Sequence, residues 1–488
     1  MSDIAFEKEL SVAETGIEGL KVVDLSVHGD SRGWFKENFQ RAKMVALGIP
    51  DLHVVQNNVS FNAEKGVTRG IHAEPWDKFI SVATGSVFGA WVDLREGSAT
   101  FGKVFTCVLD PAKAIYVPRG VGNSFQALED GTAYTYLVDA HWSAELKKTY
   151  TFVNLADPEL GIDWPIPLEE AMLSEADRHH PMLKDVVPMA PRRTLVTGCN
   201  GQLGRAVRKL AEETGRVKDF DFCDIDTFDM SDPEAYSKCD WSLYGTVINC
   251  GAYTAVDKAE TPEDRRICWA ANATGPALLA RTCAEHGITL VHISSDYVFD
   301  GTRELHDEEE AFTPISVYGQ SKAAADLAVA GCPSHYILRS SWVIGDGKNF
   351  VKTMCALSDR VVAGELPQVT VVDDQLGRLT FTDQMARAIF HVLDTRAPFG
   401  TYDMTGSGAV RSWADIARAC FEAKNGNGDK VVPVSTADYY ASAQGPIAPR
   451  PHYSALDLGK LESAGFAPRD WEEELGEYLA ILTSNTEA

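Results

Sequence analysis

The sequence predicts a two-domain protein: an antiparallel all-β domain, then an α/β domain built on a doubly wound parallel sheet. Three observations carry this. The chain has 488 residues, more than one ordinary hydrophobic core accommodates. Its apolar pattern changes period part-way along. A glycine-rich turn, GCNGQLG at residues 198–204, stands far inside the chain between a short apolar run and a helical one.

The first domain is expected over residues 1–185. From residue 17 to about 155 the chain reads as short alternating segments (VVDLSV, VVQNNVSF, KFISVATGSVFGAWVDL, KVFTCVL, AIYVPRG, TAYTYLVDA) broken by turn residues. That is the pattern of a sandwich or barrel of antiparallel strands. The second domain is expected over 193–488. There, TLVTG, DFDFCD, TVINCG, TLVHISSD and YILRSSWVI alternate with helical runs such as GRAVRKLAEETG and TGPALLARTCAEHG, as βαβ units do. A linker is expected at 186–192, inside DVVPMAPRR, where two prolines interrupt both patterns.

Composition narrows the function classes. The net charge of -25 opposes binding to a nucleic-acid backbone or an anionic membrane and leaves room for a small anionic ligand held by local cations. The start, MSDIAFEKEL, carries acidic residues where a signal peptide has basic ones, and no apolar run approaches membrane-spanning length. A cytoplasmic protein is expected. Ten cysteines without a C-x-x-C pair fit scattered thiols better than disulfides or zinc. The run HDEEE at 306–310 is expected to be a solvated loop.

In the second half, Gly198, Gly201 and Gly204 follow a strand and open a helix. Missing Cβ atoms let the backbone approach a pyrophosphate, and the helix N-terminus supplies amide donors. Asp224, ending the next strand about 20 residues on, suits a ribose diol. No Arg follows it, so NADPH and NADH both remain open as cofactor. Tyr318 and Lys322 form Y-x-x-x-K, one helical turn apart. The ammonium is expected to lower the phenol's pKa toward working pH, so that Tyr318 gives a proton to a carbonyl oxygen. Ser294 and Ser295 end a strand where a hydroxyl could hold that oxygen.

These residues resemble the extended short-chain dehydrogenase/reductase superfamily. The stretches TGCNGQLG, FDMSDPEA, VINCGAYTAVDKAE, SSDYVFDG, YGQSK, RSSWVIG, VVDDQLGRLT and APRPHYSALD narrow the resemblance to dTDP-4-dehydrorhamnose reductases. The resemblance implies a Rossmann domain with a small substrate-binding lobe. It makes Ser295 (usually Thr), Tyr318 and Lys322 catalytic. It gives the cofactor Gly198, Asn200, Gly201, Gln202, Leu203, Gly204, Asp224, Asp229, Met230, Ala252, Tyr253, Thr254, Tyr318 and Lys322. It sets Trp342 and Arg450 against the substrate. A magnesium ion in this half is left open and is not predicted.

In the first half, GVTRGIHAEPWDKF puts Arg69, His72 and Lys78 close together. A neutral imidazole beside cations suits removal of a proton next to a ketone, because the cations stabilise the enolate. Metal-ligand spacing is absent around His72. DSRGWFKENF, VVQNNVS, VTRGIH, ATFGKVF, YVPRGVGNSFQAL, DPELGIDWP and LSEAD, in that order, resemble dTDP-4-dehydrorhamnose 3,5-epimerases. The resemblance implies a cupin-like jelly roll, usually a homodimer, working without metal. His72 is then the base, Asp177 its partner and Tyr136 the opposing acid. Arg32, Glu37, Gln56, Asn58, Arg69 and Lys78 contact substrate. Three positions depart from the pattern: a short His72–Lys78 segment, Asn123 in place of a second histidine, and Gly89 where Asp is common.

The expected activity is therefore bifunctional: epimerisation of dTDP-4-dehydro-6-deoxyglucose at C3 and C5, then NAD(P)H-dependent reduction at C4 to dTDP-L-rhamnose. The departures leave open a 3-only or 5-only epimerase feeding another nucleotide deoxysugar. A non-catalytic NAD(P)-binding regulator is the alternative from another class. The expected partners are a small nucleotide sugar and a second copy of the chain through the first domain, with no nucleic acid and no membrane.

Overall fold

A computed structural model describes residue 4, residues 6–144 and residues 146–484. The chain divides into two compact units, Met1–Pro191 and Arg192–Ala488. Among the described residues, no helix is long and apolar enough to cross a membrane, and all ten cysteines are free thiols.

The first unit holds two antiparallel sheets. One takes β1 (Ser11–Glu14), β2 (Lys21–Asp24), β5 (Gln56–Asn62), β7 (Lys78–Thr84), β10 (Lys113–Val117) and β12 (Thr132–Val138) in the order β1-β2-β10-β7-β12-β5. The other takes β6 (Thr68–Ala73), β8 (Val87–Asp93), β9 (Val104–Leu109), β11 (Val121–Ala127) and β13 (Thr151–Phe152) in the order β13-β6-β11-β8-β9. A separate hairpin joins β3 (Val27–Asp30) to β4 (Gly33–Lys36). Alternate residues of both sheets meet in one core: Ile80 and Val82 of β7, Trp91 of β8, Ile115 of β10, Phe125 of β11 and Tyr134 of β12.

The outer faces are covered too, which is why KFISVAT reads as a nearly continuous apolar run. Phe79 and Tyr116 point away from the central core, against Met44 of helix α1 (Arg41–Ala46) and against Ile49 and Leu52. The outer face of the five-stranded sheet, Ile71, Val92 and Leu94, is covered by the segment after β13, including Val153, Leu160, Val186 and Met189. The residues expected to begin a linker are thus part of this unit. The Met189 amide donates to Leu94 O at 2.8 Å and its carbonyl accepts from the Glu96 amide at 2.9 Å.

The second unit centres on a parallel sheet. Its strands are β14 (Arg193–Thr197), β15 (Phe220–Phe222), β16 (Tyr244–Asn249), β17 (Thr289–Ser295), β18 (His335–Ser340) and Gly400–Asp403, in the order β15-β14-β16-β17-β18 with the last at the edge. Neighbouring residues face opposite layers. Val196, Ile248, Val291 and Leu338 pack with the helices Gln202–Glu213 and Thr382–Asp394. Leu195, Val247, Leu290 and Ile337 pack with Leu279 and Cys283 of the helix Gly275–His286. Both faces are dry, as continuous apolar strands require. A further core joins the helices Phe350–Val362, Trp413–Asn425 and Trp471–Ser484 through Val351, Met354, Phe421, Trp471 and Leu475.

The run HDEEE is not a solvated loop. His306 is buried and stacks on Phe299 at 4.7 Å, with Glu310 2.9 Å from its Nδ1. Glu308 accepts from the Asp403 amide, and its carbonyl accepts from Arg339. Arg339 is itself buried against Asp326 at 2.9 Å. Asp307 and Glu310 pair with Arg303, while Glu308 is held by Arg339 and Asp403 from distant sequence, which pattern reading along the chain does not reveal.

Gly89, a departure from the family pattern, has a steric cause. A Cβ there would collide with the Trp91 ring two residues along the same strand. Gly89→Ala is expected to cost about 1–3 kcal/mol by overpacking, and Gly89→Ala combined with Trp91→Phe less than the sum of the two single changes. Urea unfolding of the variants checks this; strict additivity would contradict it.

Candidate active sites

In the first unit, a cavity of about 350 Å³ is lined by Arg69, His72, Lys78, Tyr136, Asp177 and His180 among others. β6 sets His72 between Asn123 of β11 and Phe152 of β13. Asn123, in place of a second histidine, accepts a hydrogen bond from the buried Tyr134 hydroxyl at 2.9 Å. His72 Nε2 lies 2.9 Å from Asp177 Oδ1. Asp177 sits on the short helix α2 (Glu175–Arg178), capped by Ser174, whose hydroxyl accepts from the Asp177 amide. Burial would raise the Asp177 carboxyl, but hydrogen bonds from His72, Ser174 and His180 hold it below its ordinary value. An ionised carboxylate only accepts, so His72 donates Nε2–H and keeps its lone pair on Nδ1.

Lys78 is buried in an ion pair with Glu74, and its Nζ stands 5.8 Å from the centre of the Tyr136 ring. Burial, and then the Glu74 charge, push the Tyr136 phenol up, with Arg69 pulling back. Tyr136 is therefore protonated at neutral pH, the state an acid needs. Arg69 Nε donates to Asn62 Oδ1 at 3.3 Å.

The remaining substrate residues expected in this half lie outside the cavity lining. Arg32 is exposed on the β3–β4 hairpin and paired with Asp30. Glu37 accepts from Lys43 at 2.8 Å. Gln56 and Asn58 bond each other on the edge strand β5.

In the second unit, the chain order reverses between β14 and β16, where α/β sheets bind ligands at the carboxyl ends of their strands. The turn after β14 meets the turn after β16: Gly198 has φ +63°, and a Cβ on it would lie 2.5 Å from Gly251 Cα. A Cβ on Gly204 would collide with Gly198 O. Gly201 caps the helix α3 (Gln202–Glu213) with no side-chain bond, leaving the first-turn amides for an anion. This cradle of bare backbone around Asn200, Gln202 and Leu203 fits a pyrophosphate. Asp224 reaches back to it, accepting from the Asn200 amide at 2.8 Å. Met230 is buried beneath Gly251 and Gly275, and Asp229 accepts from Ser231.

Ala252, Tyr253 and Thr254 form the turn after β16, held by a residue the sequence patterns did not single out. Buried Asn272 accepts from the Tyr253 amide at 2.8 Å and donates to its carbonyl at 2.9 Å. Asn272 also lies 3.2 Å from Ser321 Oγ, which donates to Tyr318 O. It occupies a π-helical turn, Ala270–Thr274, four residues before Pro276. A proline inside a helical run removes an amide and leaves the carbonyl four residues back unpaired, which is the signal available in the sequence.

Tyr318 and Lys322 share the helix Val317–Val329, with Ser295 at the end of β17. Here an expectation fails. Lys322 Nζ donates to Ile293 O at 2.6 Å, and burial pushes its pKa down to about 8. The Tyr318 phenol is pushed up, by burial first and then by the Asp296 charge, with the Ser295 hydroxyl pulling back. Burial and the Asp296 charge thus set the direction, and Tyr318 stands protonated. Ser295 accepts from the Tyr297 amide and donates to Asp296, a second residue pattern reading missed; burial pushes Asp296 up to about 6.

On the lobe side, Trp342 has φ +47° and stacks on Trp413 at 3.8 Å. A bulky residue there is strained, as residues at ligand sites often are. Arg450 donates to Asp257 at 2.8 Å and lies 5.2 Å from the Tyr440 ring centre. Its guanidinium is thus already partnered by the AYTAVDKAE segment.

Residues 14–185 match the family described as dTDP-4-dehydrorhamnose 3,5-epimerase, and residues 192–484 the family described as RmlD substrate binding domain. A curated "Protein RmlC homolog" from Streptococcus pyogenes serotype M6 is 52% identical over 39% of this chain and 99% of its own length. A dTDP-4-dehydrorhamnose reductase from Aggregatibacter actinomycetemcomitans is 35% identical over 58% of this chain and 97% of its own length. A crystal structure of dTDP-4-dehydrorhamnose reductase from Bacillus anthracis, in complex with NADP, is 32% identical, with a TM-score of 0.53 over 60% of this chain and 99% of that one.

Lys322, with its pKa near 8, loses its charge within an accessible range. A cation whose pKa is lowered by burial is charged below that value and neutral above it. If the ammonium stabilises the phenolate left by proton donation, kcat/KM for ketone reduction falls as pH rises above about 8, roughly tenfold per unit. A flat profile to about pH 10 would contradict this.

Proposed function

The chain belongs to the dTDP-4-dehydrorhamnose 3,5-epimerase family over its first unit and to the RmlD reductase family over its second; from that premise we propose how its residues divide the work. The two activities are consecutive steps toward dTDP-L-rhamnose, with a nucleotide sugar as substrate and NADPH as reductant. The paired antiparallel sheets support a cupin-type jelly roll. The strand order and the glycine turn support a Rossmann sheet.

A ketone at C4 acidifies the hydrogens on C3 and C5. His72, with its ring held by Asp177, takes such a proton on Nδ1, while Lys78 and Arg69 face the oxygen that gains charge. Tyr136, protonated and lining the same cavity, returns a proton to the opposite face of the carbon. Repeating this at the second carbon inverts both. The reduction then acts on the same ketone. NADPH, when bound on the glycine turn, supplies the hydride to C4. Tyr318 gives its proton to the oxygen, Ser295 holds that oxygen, and Lys322 stabilises the phenolate left behind. The observation that carries the reading is the pair of half-buried, protonated phenols, Tyr136 with Lys78 5.8 Å from its ring centre and Tyr318 one helical turn before Lys322.

Arg32 and Glu37 contact substrate in this reading yet lie outside their own cavity, flanking Phe35, which is 70% exposed. Val59 and Phe61 on the sheet edge are exposed as well. We infer a homodimer through this face, in which each hairpin completes the other subunit's site. Light scattering of a monomer that retains full epimerase activity would overturn this.

Tyr318→Phe is expected to lower NADPH oxidation by about 10²–10⁴-fold while leaving deuterium uptake from D2O at C3 and C5 intact. His72→Asn is expected to block that uptake, yet reduce separately epimerised substrate at the normal rate. NMR of the sugar and absorbance of the nicotinamide read the two outcomes. Full reductase turnover in Tyr318→Phe, or full exchange in His72→Asn, contradicts the assignment.

A further inference from the structure

We propose that His72, Asp177 and His180 form a divalent transition-metal site which, when filled, switches the epimerase off. His180 belongs to none of the motifs singled out in the sequence. Its Nε2 lies 3.2 Å from Asp177 Oδ1, the same oxygen that His72 Nε2 approaches at 2.9 Å, and the three atoms lie within 4.8 Å of one another. Around tetrahedral Zn²⁺, with bonds of about 2.0–2.2 Å, neighbouring ligand atoms sit about 3.3–3.6 Å apart. The two hydrogen-bonded pairs lie a few tenths of an ångström inside that spacing and the third pair is within 4.8 Å, so small side-chain shifts bring all three onto one ion.

The ligands are also pinned. His180 stacks on Phe152 at 4.6 Å, and His72 meets the edges of Phe152 at 5.2 Å and of His180 at 5.5 Å. Asp177 is fixed by its Ser174 cap and buried. Two imidazoles and one carboxylate suit Zn²⁺, Co²⁺ or Ni²⁺, and the adjoining cavity has space for water in the remaining positions. Of the cations lining the cavity, Lys78 is neutralised by Glu74, and Lys147 is the one whose charge acts on His180.

The switch follows from the tautomer. Without metal, His72 carries its proton on Nε2, toward Asp177, and its lone pair on Nδ1. Metal taken up by Nε2 moves that proton to Nδ1, with no change in ring charge and no redox step. Nδ1 then has no lone pair with which to accept a proton from carbon. The second half of this inference rests on His72 as the base; the metal site itself does not.

The full chain is titrated with Co²⁺ and, separately, with Zn²⁺. Visible d–d bands are expected without the near-ultraviolet thiolate charge transfer that the ten cysteines would give. Zn²⁺ is expected to slow deuterium exchange at C3 and C5 at least tenfold, reversibly with EDTA, while reduction of pre-epimerised substrate is unaffected. In His180→Gln, and in His180→Phe, which retains an aromatic ring against Phe152, the Co²⁺ bands disappear. The half-inhibiting Zn²⁺ concentration, measured against each variant's own metal-free rate, rises about tenfold or more. An unchanged half-inhibiting concentration in both variants, or thiolate charge-transfer bands, overturns the proposal. Co²⁺ bands without loss of exchange remove the switch and count against His72 as the base. Absence of Co²⁺ bands, with exchange still abolished by His72→Asn, overturns the metal site and leaves the base standing.

Discussion

Desolvation of ionisable side chains against rigid sheets is the constraint on which both sites depend. Water stabilises charge, so a group withdrawn from it keeps its neutral form unless a partner intervenes. Tyr136 and Tyr318 have no partner strong enough and stay protonated, ready to donate. Asp177 has three hydrogen-bond donors and stays ionised, which fixes the His72 tautomer. Lys322, bonded to the Ile293 carbonyl and 3.5 Å from His292, is pushed to about 8 by burial, and so keeps its charge at neutral pH with little to spare. Strands supply the rigidity: His72 lies between two neighbouring strands, and Ser295 ends the fourth strand of the parallel order.

What could be read from the sequence follows the range of the forces involved. Period-two and period-3.6 patterns are set by neighbours along the chain, and they correctly separated antiparallel sheets from a parallel one. The glycine turn was legible because close backbone approach, here of Gly198 to Gly251, excludes any other residue. Long-range partners were not legible. Nothing local shows that the Glu308 carbonyl meets a buried Arg339, that Met189 pairs with Leu94 and Glu96, or that Asn272 clasps the Tyr253 backbone. The direction of the Tyr318 shift failed for the same reason: spacing shows the ammonium, while burial and Asp296 come from other elements.

Carrying two consecutive enzymes on one chain has a simple chemical logic. Both act on a single ketone, which acidifies its neighbours for the first and accepts hydride in the second. Epimerisation of a ketosugar is reversible and leaves the ketone in place. Reduction removes the ketone and draws the earlier equilibrium forward. Fusion guarantees equal amounts of the two activities, whatever the route of the intermediate between them.

The most direct measurement is NMR of the product made by the unmodified chain from the 4-keto-6-deoxy nucleotide sugar in D2O, with and without NADPH. Without reductant, deuterium is predicted at C3 and C5 of a sugar that remains a ketone. With reductant, the same two labels appear in dTDP-L-rhamnose, with one nicotinamide consumed per sugar. Nicotinamide consumption that yields an unlabelled, unepimerised alcohol would contradict the account.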